Sequence, residues 1–144
     1  MSRLLAHPLS VRACQIATGI VFAWAGLAKI GDPAAFAEQV HNFRLVPVFA
    51  ENLVAMTLPW IELVTALALL AGIRARDGAI LASAALAVFT LAVIAALARG
   101  LDIECGCFGT SDASRVGLTK VASNLVLVAV AVVAGLAPAR GSRP

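Results

Sequence analysis

The chain has 144 residues, 61% hydrophobic and 13% charged, with a formal net charge of +3 and a mean hydropathy of +0.95. A soluble domain is typically about half apolar and about a quarter charged, so these values exclude a water-soluble enzyme and point to a membrane protein of one domain. Its cations sit at the ends of apolar runs and are not interleaved with aromatics, which reads as topology and lipid-headgroup signals and excludes a nucleic-acid partner.

The first apolar segment covers 13–30, just enough for a bilayer core that needs about 20 residues. No small-residue cleavage site follows a brief apolar core, so no cleaved signal is expected ahead of it. Gln15, Gly19, Phe22, Gly26 and Lys29 recur at i+3/i+4 steps and form a helix–helix stripe. Lys29 closes the segment and is expected to snorkel to the interface. Cys14 reads as a small buried hydrophobe, about 20 Å or more of helix away from the other two cysteines.

Gly31-Asp32-Pro33 reads as a helix stop and a new start, with Asp32 as cap and Pro33 at the first helical position. Phe36, Val40 and Phe43 then share a face opposed by Glu38, Gln39, Asn42 and Arg44. That spacing predicts a short amphipathic helix lying in the membrane interface and ending before Pro47. The second apolar segment, 52–73, is interrupted by Pro59-Trp60-Ile61-Glu62. Pro59 frees a backbone carbonyl one turn earlier. Glu62 is an ionisable group deep in an apolar run, which marks pairing or function. Pairing with Lys29, a protonated carboxyl and a proton-carrying role all remain open.

Arg74 and Arg76 close that segment, and Asp77-Gly78 reads as a tight turn. The third segment, 78–98, is uncharged and reads as packing alone. The fourth, 116–137, is expected to be capped by Asp112 or Ser114, with Asn124 making an interhelical hydrogen bond. The expected fold is therefore all-α: an integral membrane four-helix bundle over 1–144, with a short interfacial amphipathic helix between the first and second spans.

Between the third and fourth segments lies a polar loop carrying Glu104-Cys105-Gly106-Cys107-Phe108-Gly109. Two thiols one residue apart can close a small disulfide ring, hold a soft metal ion as thiolates, or serve structurally. Gly106 suits the first two, because the intervening backbone needs conformations that a Cβ penalises. A ring this tight departs from relaxed geometry and is easier to reduce, which favours redox exchange. Arg115 and Lys120 follow closely and could stabilise a departing thiolate, whereas Asp102 and Glu104 could accept protons. Two thiolates suit Cu(I), but His41 is the one histidine on the cysteine side, so a closed zinc site lacks donors.

Four spans place both termini on one side and the cysteine loop on the other. Acids cluster on the loop side (Asp32, Glu38, Glu51, Asp102, Glu104 and Asp112), with only Asp77 opposite. This predicts cytoplasmic termini and an extracytoplasmic, periplasmic loop in the bacterial inner membrane. Disulfides persist in that compartment. The sequence shows no haem ligand set, dinucleotide fingerprint or second cysteine pair, so the expected electron partner is a membrane quinone or a thioredoxin-like protein.

The chain resembles the MauE branch of the DoxX-like membrane proteins. The resemblance rests on Phe22, Gly26-Leu27-Ala28-Lys29, Asp32-Pro33, Leu58-Pro59-Trp60-Ile61-Glu62-Leu63 and Cys105-Gly106-Cys107-Phe108-Gly109. It implies a role in making or protecting disulfides of exported proteins, possession of a four-helix membrane fold, and a site at Cys105 and Cys107 supported by Gly106, Glu62, Lys29, Trp60, Glu104, Arg115 and Lys120. MauE is associated with maturation of the disulfide-rich small subunit of methylamine dehydrogenase. The fold is similar to that of quinone-linked oxidases of the vitamin K epoxide reductase kind, but this chain lacks their Cys-X-X-Cys pair on the last helix. The expectation is a thiol–disulfide oxidoreductase acting on exported cysteine-containing proteins. The alternatives are a non-catalytic docking subunit of a redox complex and a Cu(I)-handling protein.

Overall fold

The computed structural model describes residues 7–106 and 115–136. Among these the chain is helical throughout, apart from turns and one isolated bridge. The helices are α1 (Pro8–Gly31), α2 (Pro33–Phe43), α3 (Val48–Ala71), α4 (Ala75–Ala98) and α5 (Leu118–Ala134). α1, α3 and α4 each have 24 residues, about 36 Å at 1.5 Å per residue. All three are long and apolar enough to cross a hydrocarbon core about 30 Å thick. α5 is apolar but shorter, at 17 residues. The outward faces carry large apolar side chains; on α3 these are Phe49, Leu53, Met56, Trp60, Val64 and Leu67. A stripe of that length is foreign to soluble surfaces and matches a lipid-facing one.

The stripe expected on α1 is the buried one: Gln15, Gly19, Phe22, Gly26 and Lys29 all face inward. α1 lies along α3 and α5, α3 along α4, and α4 along α5, so the four long elements enclose two apolar clusters. One is built from Phe22, Ala66, Leu69, Ala79, Ala82, Ala131 and Ala134, with Cys14 packed against it. The other gathers Phe43, Val93, Ala96 and Cys105. Cys14 and Cys105 thus belong to different ends of the molecule.

Small residues let α1 and α3 approach closely. A Cβ on Gly26 would lie 2.9 Å from the Pro59 carbonyl oxygen and 3.0 Å from Leu63. Gly31, by contrast, has nothing within 4 Å of a Cβ position. Gly26→Ala should therefore cost about 1–3 kcal/mol through overpacking against backbone, while Gly31→Ala should not. Thermal unfolding in detergent compares the two, and equal midpoints would reject a tight α1–α3 contact at Gly26.

Several boundaries differ from the sequence expectation. α3 starts at Val48, four residues before position 52, and runs through Pro59 without a break. The tight turn lies at Gly72–Arg74 instead of Asp77-Gly78. Gly72 takes φ 72° and Arg74 φ 50°, the left-handed geometry that ends a helix. Asp77 joins the first turn of α4, where a carboxylate complements the positive helix end, and accepts from Arg74 Nε at 2.8 Å. α5 begins after Gly117, whose position offers no side-chain cap; Asp112 and Ser114, the expected caps, lie outside the described residues. Asp32 does cap α2, accepting from the Ala35 amide at 3.0 Å.

Two arginines close the helix ends, a role that sequence reading missed. Arg12 donates to the carbonyls of Leu69 at 2.8 Å and Leu70 at 2.6 Å, satisfying the C-terminus of α3. Arg99 donates to the carbonyls of Phe43 and Arg44, closing α2 at the opposite end of the molecule.

Candidate functional site

The cysteine segment leaves α4 through Gly100 at φ 67° and then runs extended. Leu101, Ile103 and Cys105 turn inward while Asp102 and Glu104 face out, the period-two alternation of a strand. The segment is pinned where the Val116 amide donates to the Ile103 carbonyl at 2.9 Å and Glu104 bridges to Arg115. Cys105 is 0% exposed and shares its pocket with Phe43 of α2 and with Val93 and Ala96 of α4. The Phe43 and Phe89 rings meet edge-on at 6.1 Å in the same cluster.

Gly106 follows at φ 66°, where a side chain is strained in any surroundings. A Cβ there would also lie 2.7 Å from Gln39 Oε1 and 3.1 Å from Gln39 Cδ. The glycine is thus required twice, by its own backbone and by the close approach of α2. Cys107, Phe108 and Gly109 lie outside the described residues.

Above this segment opens a cleft of about 490 Å³, lined by Ala35, Glu38, Gln39, Asn42, Asp102, Ile103, Glu104 and Arg115. Its walls are mostly polar, and the one cation among the described lining residues, the Arg115 guanidinium, donates to the Asp102 carboxylate. Both of those side chains are exposed. Glu104 is exposed too, on the face of the segment opposite Cys105. Lys120 sits half-buried in the first turn of α5, with its carbonyl accepting from Ser123 Oγ at 2.9 Å.

Lys29 does not snorkel. It is 3% exposed, and its ammonium donates to both oxygens of Glu62 at 2.9 and 3.0 Å. It also lies 5.4 Å from the centroid of the Phe36 ring. The turn inward follows from the α1–α3 contact: a carboxylate in the packed interface offers the ammonium a partner where no water competes. Of the openings left for Glu62, pairing is the one observed. Trp60, two residues away, is 61% exposed on the outer face of α3, so the structure does not bring it to the pair.

The buried face of α2 also differs from the expected one. Phe36, Gln39 and Phe43 face inward, and Val40 is only half-buried. The i, i+3, i+7 stripe links the three places in turn: Phe36 lies on Lys29, Gln39 on Gly106, and Phe43 on Cys105. Gln39 belongs to the polar face by side chain alone, yet it is buried where the cysteine segment packs against it. Asn124 is buried, and the expected interhelical hydrogen bond is not seen at its Nδ2, which has no partner among the described residues.

His41 and Glu51 form a contact that sequence reading missed: His41 Nδ1 lies 2.9 Å from Glu51 Oε1, joining α2 to the first turn of α3. Ten residues and a loop separate them, so no helical spacing signals the pair. Among the described residues, no three His, Cys, Asp or Glu side chains converge as metal ligands.

Comparison with known proteins follows the same extent of chain. The family described as methylamine utilisation protein MauE matches residues 7–137. The methylamine utilization protein MauE of Paracoccus versutus is 39% identical over 141 residues, covering 96% of this chain and 76% of that protein. The Paracoccus denitrificans protein of the same name is 35% identical over 132 residues, covering 91% and 71%. That of Methylophilus methylotrophus is 29% identical over 140 residues, covering 96% and 74%. No solved structure matches the chain.

Proposed function

Because this chain belongs to the family of methylamine utilisation protein MauE, we propose that it is a membrane thiol–disulfide exchange protein supporting disulfide formation in exported proteins during methylamine utilisation. The observation that carries this reading is the Cys105-Gly106 turn: a glycine held at φ 66° beside a cysteine, at the margin of a polar cleft. Thiol exchange needs a dithiol whose ring the backbone permits and a surface where a peptide can lie. The cleft's polar walls suit a peptide segment more than an apolar quinone ring, which favours a thioredoxin-like or exported protein as the immediate partner. A membrane quinone then serves as the more distant electron acceptor.

In this reading α1, α3, α4 and α5 all cross the bacterial inner membrane as a four-helix bundle, with α2 at the interface. The termini are cytoplasmic and the cysteine loop faces the periplasm, where disulfides persist. After mild reduction, a membrane-impermeant thiol reagent added outside intact cells should label the cysteine loop and not Cys14. Labelling only after the inner face is opened would reverse the orientation.

The exchange chemistry is tested by equilibrating the protein in glutathione buffers and counting alkylated loop thiols. A reversible couple within the range of exchange catalysts is expected. A pair that stays reduced in every buffer, or reduces only on denaturation, would leave the second reading in place. That reading is a non-catalytic docking subunit, favoured by the complete burial of Cys105.

A further inference from the structure

We propose that α2 is a lid over Cys105, a short helix that keeps the sulfur closed and swings away from the bundle to open it. This rests on the exchange reading above and says which part of the molecule moves for it. Cys105 is 0% exposed, in one cluster with Phe43 of α2 and with Val93 and Ala96 of α4. A sulfur reacts only along an open path, so one of those walls must give way. The α4 wall is fixed. That helix has 24 residues and packs along both α3 and α5, and Val93 and Ala96 are themselves fully buried.

α2 has the opposite character. It has 11 residues, of which Phe36, Gln39 and Phe43 are the buried ones. It follows α1 through Gly31 and Asp32, and nothing packs within 4 Å of a Cβ position on Gly31, so that joint is open. Its other end runs into Arg44 at φ 50° and a short loop to Pro47, which makes a second joint. A helix with so small a buried face and a joint at each end belongs to the part of a fold that opens without the rest unfolding. Side chains tie its C-terminal half down. Arg99, just beyond α4, donates to the carbonyls of Phe43 and Arg44, and His41 Nδ1 lies 2.9 Å from Glu51 Oε1 on α3. Both Arg99 and His41 are exposed, so water competes for each tie.

Phe43 joins the ties to the sulfur. Its carbonyl is held by Arg99, while its ring meets Phe89 edge-on at 6.1 Å and forms the α2 wall of the Cys105 cluster. Gln39 and Phe43 sit one helical turn apart on the inward face. Lifting the C-terminal end of α2 therefore takes Phe43 off Cys105 and Gln39 off Gly106 in one movement. Phe36, beside the Lys29 ammonium, lies near the Gly31 joint, where a swing displaces it least. Arg99 and His41 are thus positioning residues that act on the sulfur through Phe43.

The test uses full-length protein in which Cys14→Ala and Cys107→Ser leave Cys105 as the single thiol. Its modification by N-ethylmaleimide is timed in native detergent solution, and the thermal midpoint of each variant is measured alongside. Adding Arg99→Met keeps the apolar stem, removes both hydrogen bonds and should speed modification about tenfold. Adding His41→Ala instead, at an exposed position, should speed it about threefold. The control is Gly19→Ala, whose new Cβ would lie 2.8 Å from Leu70 Cγ, in the part of the bundle where Leu69 packs with the other apolar cluster. It should lower the midpoint yet leave the Cys105 rate within about twofold, because the lid opens without the rest of the fold. An unchanged rate in either Arg99→Met or His41→Ala would overturn the proposal. So would a Gly19→Ala rate that rises as much as theirs, since the sulfur would then be reached only by general unfolding. The exchange reading itself fails separately, if the Cys14→Ala protein with both loop cysteines shows no reversible couple in glutathione buffers.

Discussion

Replacing Gly106 by valine raises the reduction potential of the loop pair by about 20–60 mV while leaving insertion of the helices unchanged. Residue 106 sits at φ 66°, a region that costs a non-glycine residue about 1–3 kcal/mol. The closed ring has less freedom than the open dithiol to relax around a β-branched side chain. The penalty therefore falls mainly on the oxidised form and makes it easier to reduce. About 30 mV corresponds to 1.4 kcal/mol for a two-electron couple, which sets the range. The Cβ would also lie 2.7 Å from Gln39 Oε1, so the second change Gln39→Ala should restore part of the shift, leaving the backbone share. Alkylation after equilibration in glutathione buffers measures both. An unchanged potential in Gly106→Val would mean that the left-handed turn is not coupled to the pair's redox state.

Lys29→Met should destabilise the protein by about 3–5 kcal/mol, the cost of leaving a buried partner charge uncompensated. Methionine keeps an unbranched apolar stem, so the change isolates the ammonium that pairs with Glu62 and lies 5.4 Å from the Phe36 ring centroid. Lys29 is 3% exposed and Glu62 13%, and little water reaches the orphaned carboxylate. Adding Glu62→Gln removes that charge and should recover most of the loss. Thermal unfolding of the wild type, both single variants and the double variant in one detergent closes the cycle. If the double variant is as unstable as the sum of the singles, the ion pair contributes no coupling and Lys29 matters only through packing.

Both experiments probe features whose presence could be read locally and whose partners could not. The helical character of every element follows from spacing and composition. The α1 stripe at i+3/i+4, the Asp32-Pro33 restart and the ionisable Glu62 in an apolar run are one-dimensional signals, each arising within a turn or two of chain. A glycine between two cysteines likewise announces a backbone that a side chain would hinder, and Gly106 takes that conformation. The end of α3 was less legible: Gly72 competes with Asp77-Gly78 as a turn signal, and only the packed helices select it.

Tertiary structure decided where the side chains went. A lysine stem can reach water or a carboxylate with equal ease, and the α1–α3 contact places Glu62 33 residues away within 2.9 Å of Lys29. Gln39 is polar and was expected to face water, but its position between Phe36 and Phe43 on a 3.6-residue period puts it inside once the cysteine segment covers that face. Arg12 and Arg99 read as membrane-side charges, yet each spends its donors on carbonyls more than 50 residues away. The burial of Cys105 is of the same kind. Its neighbours Phe43, Val93 and Ala96 come from two other helices. Local conformational preference is written into a few adjacent residues, whereas solvent access to a given sulfur depends on which distant surfaces close over it.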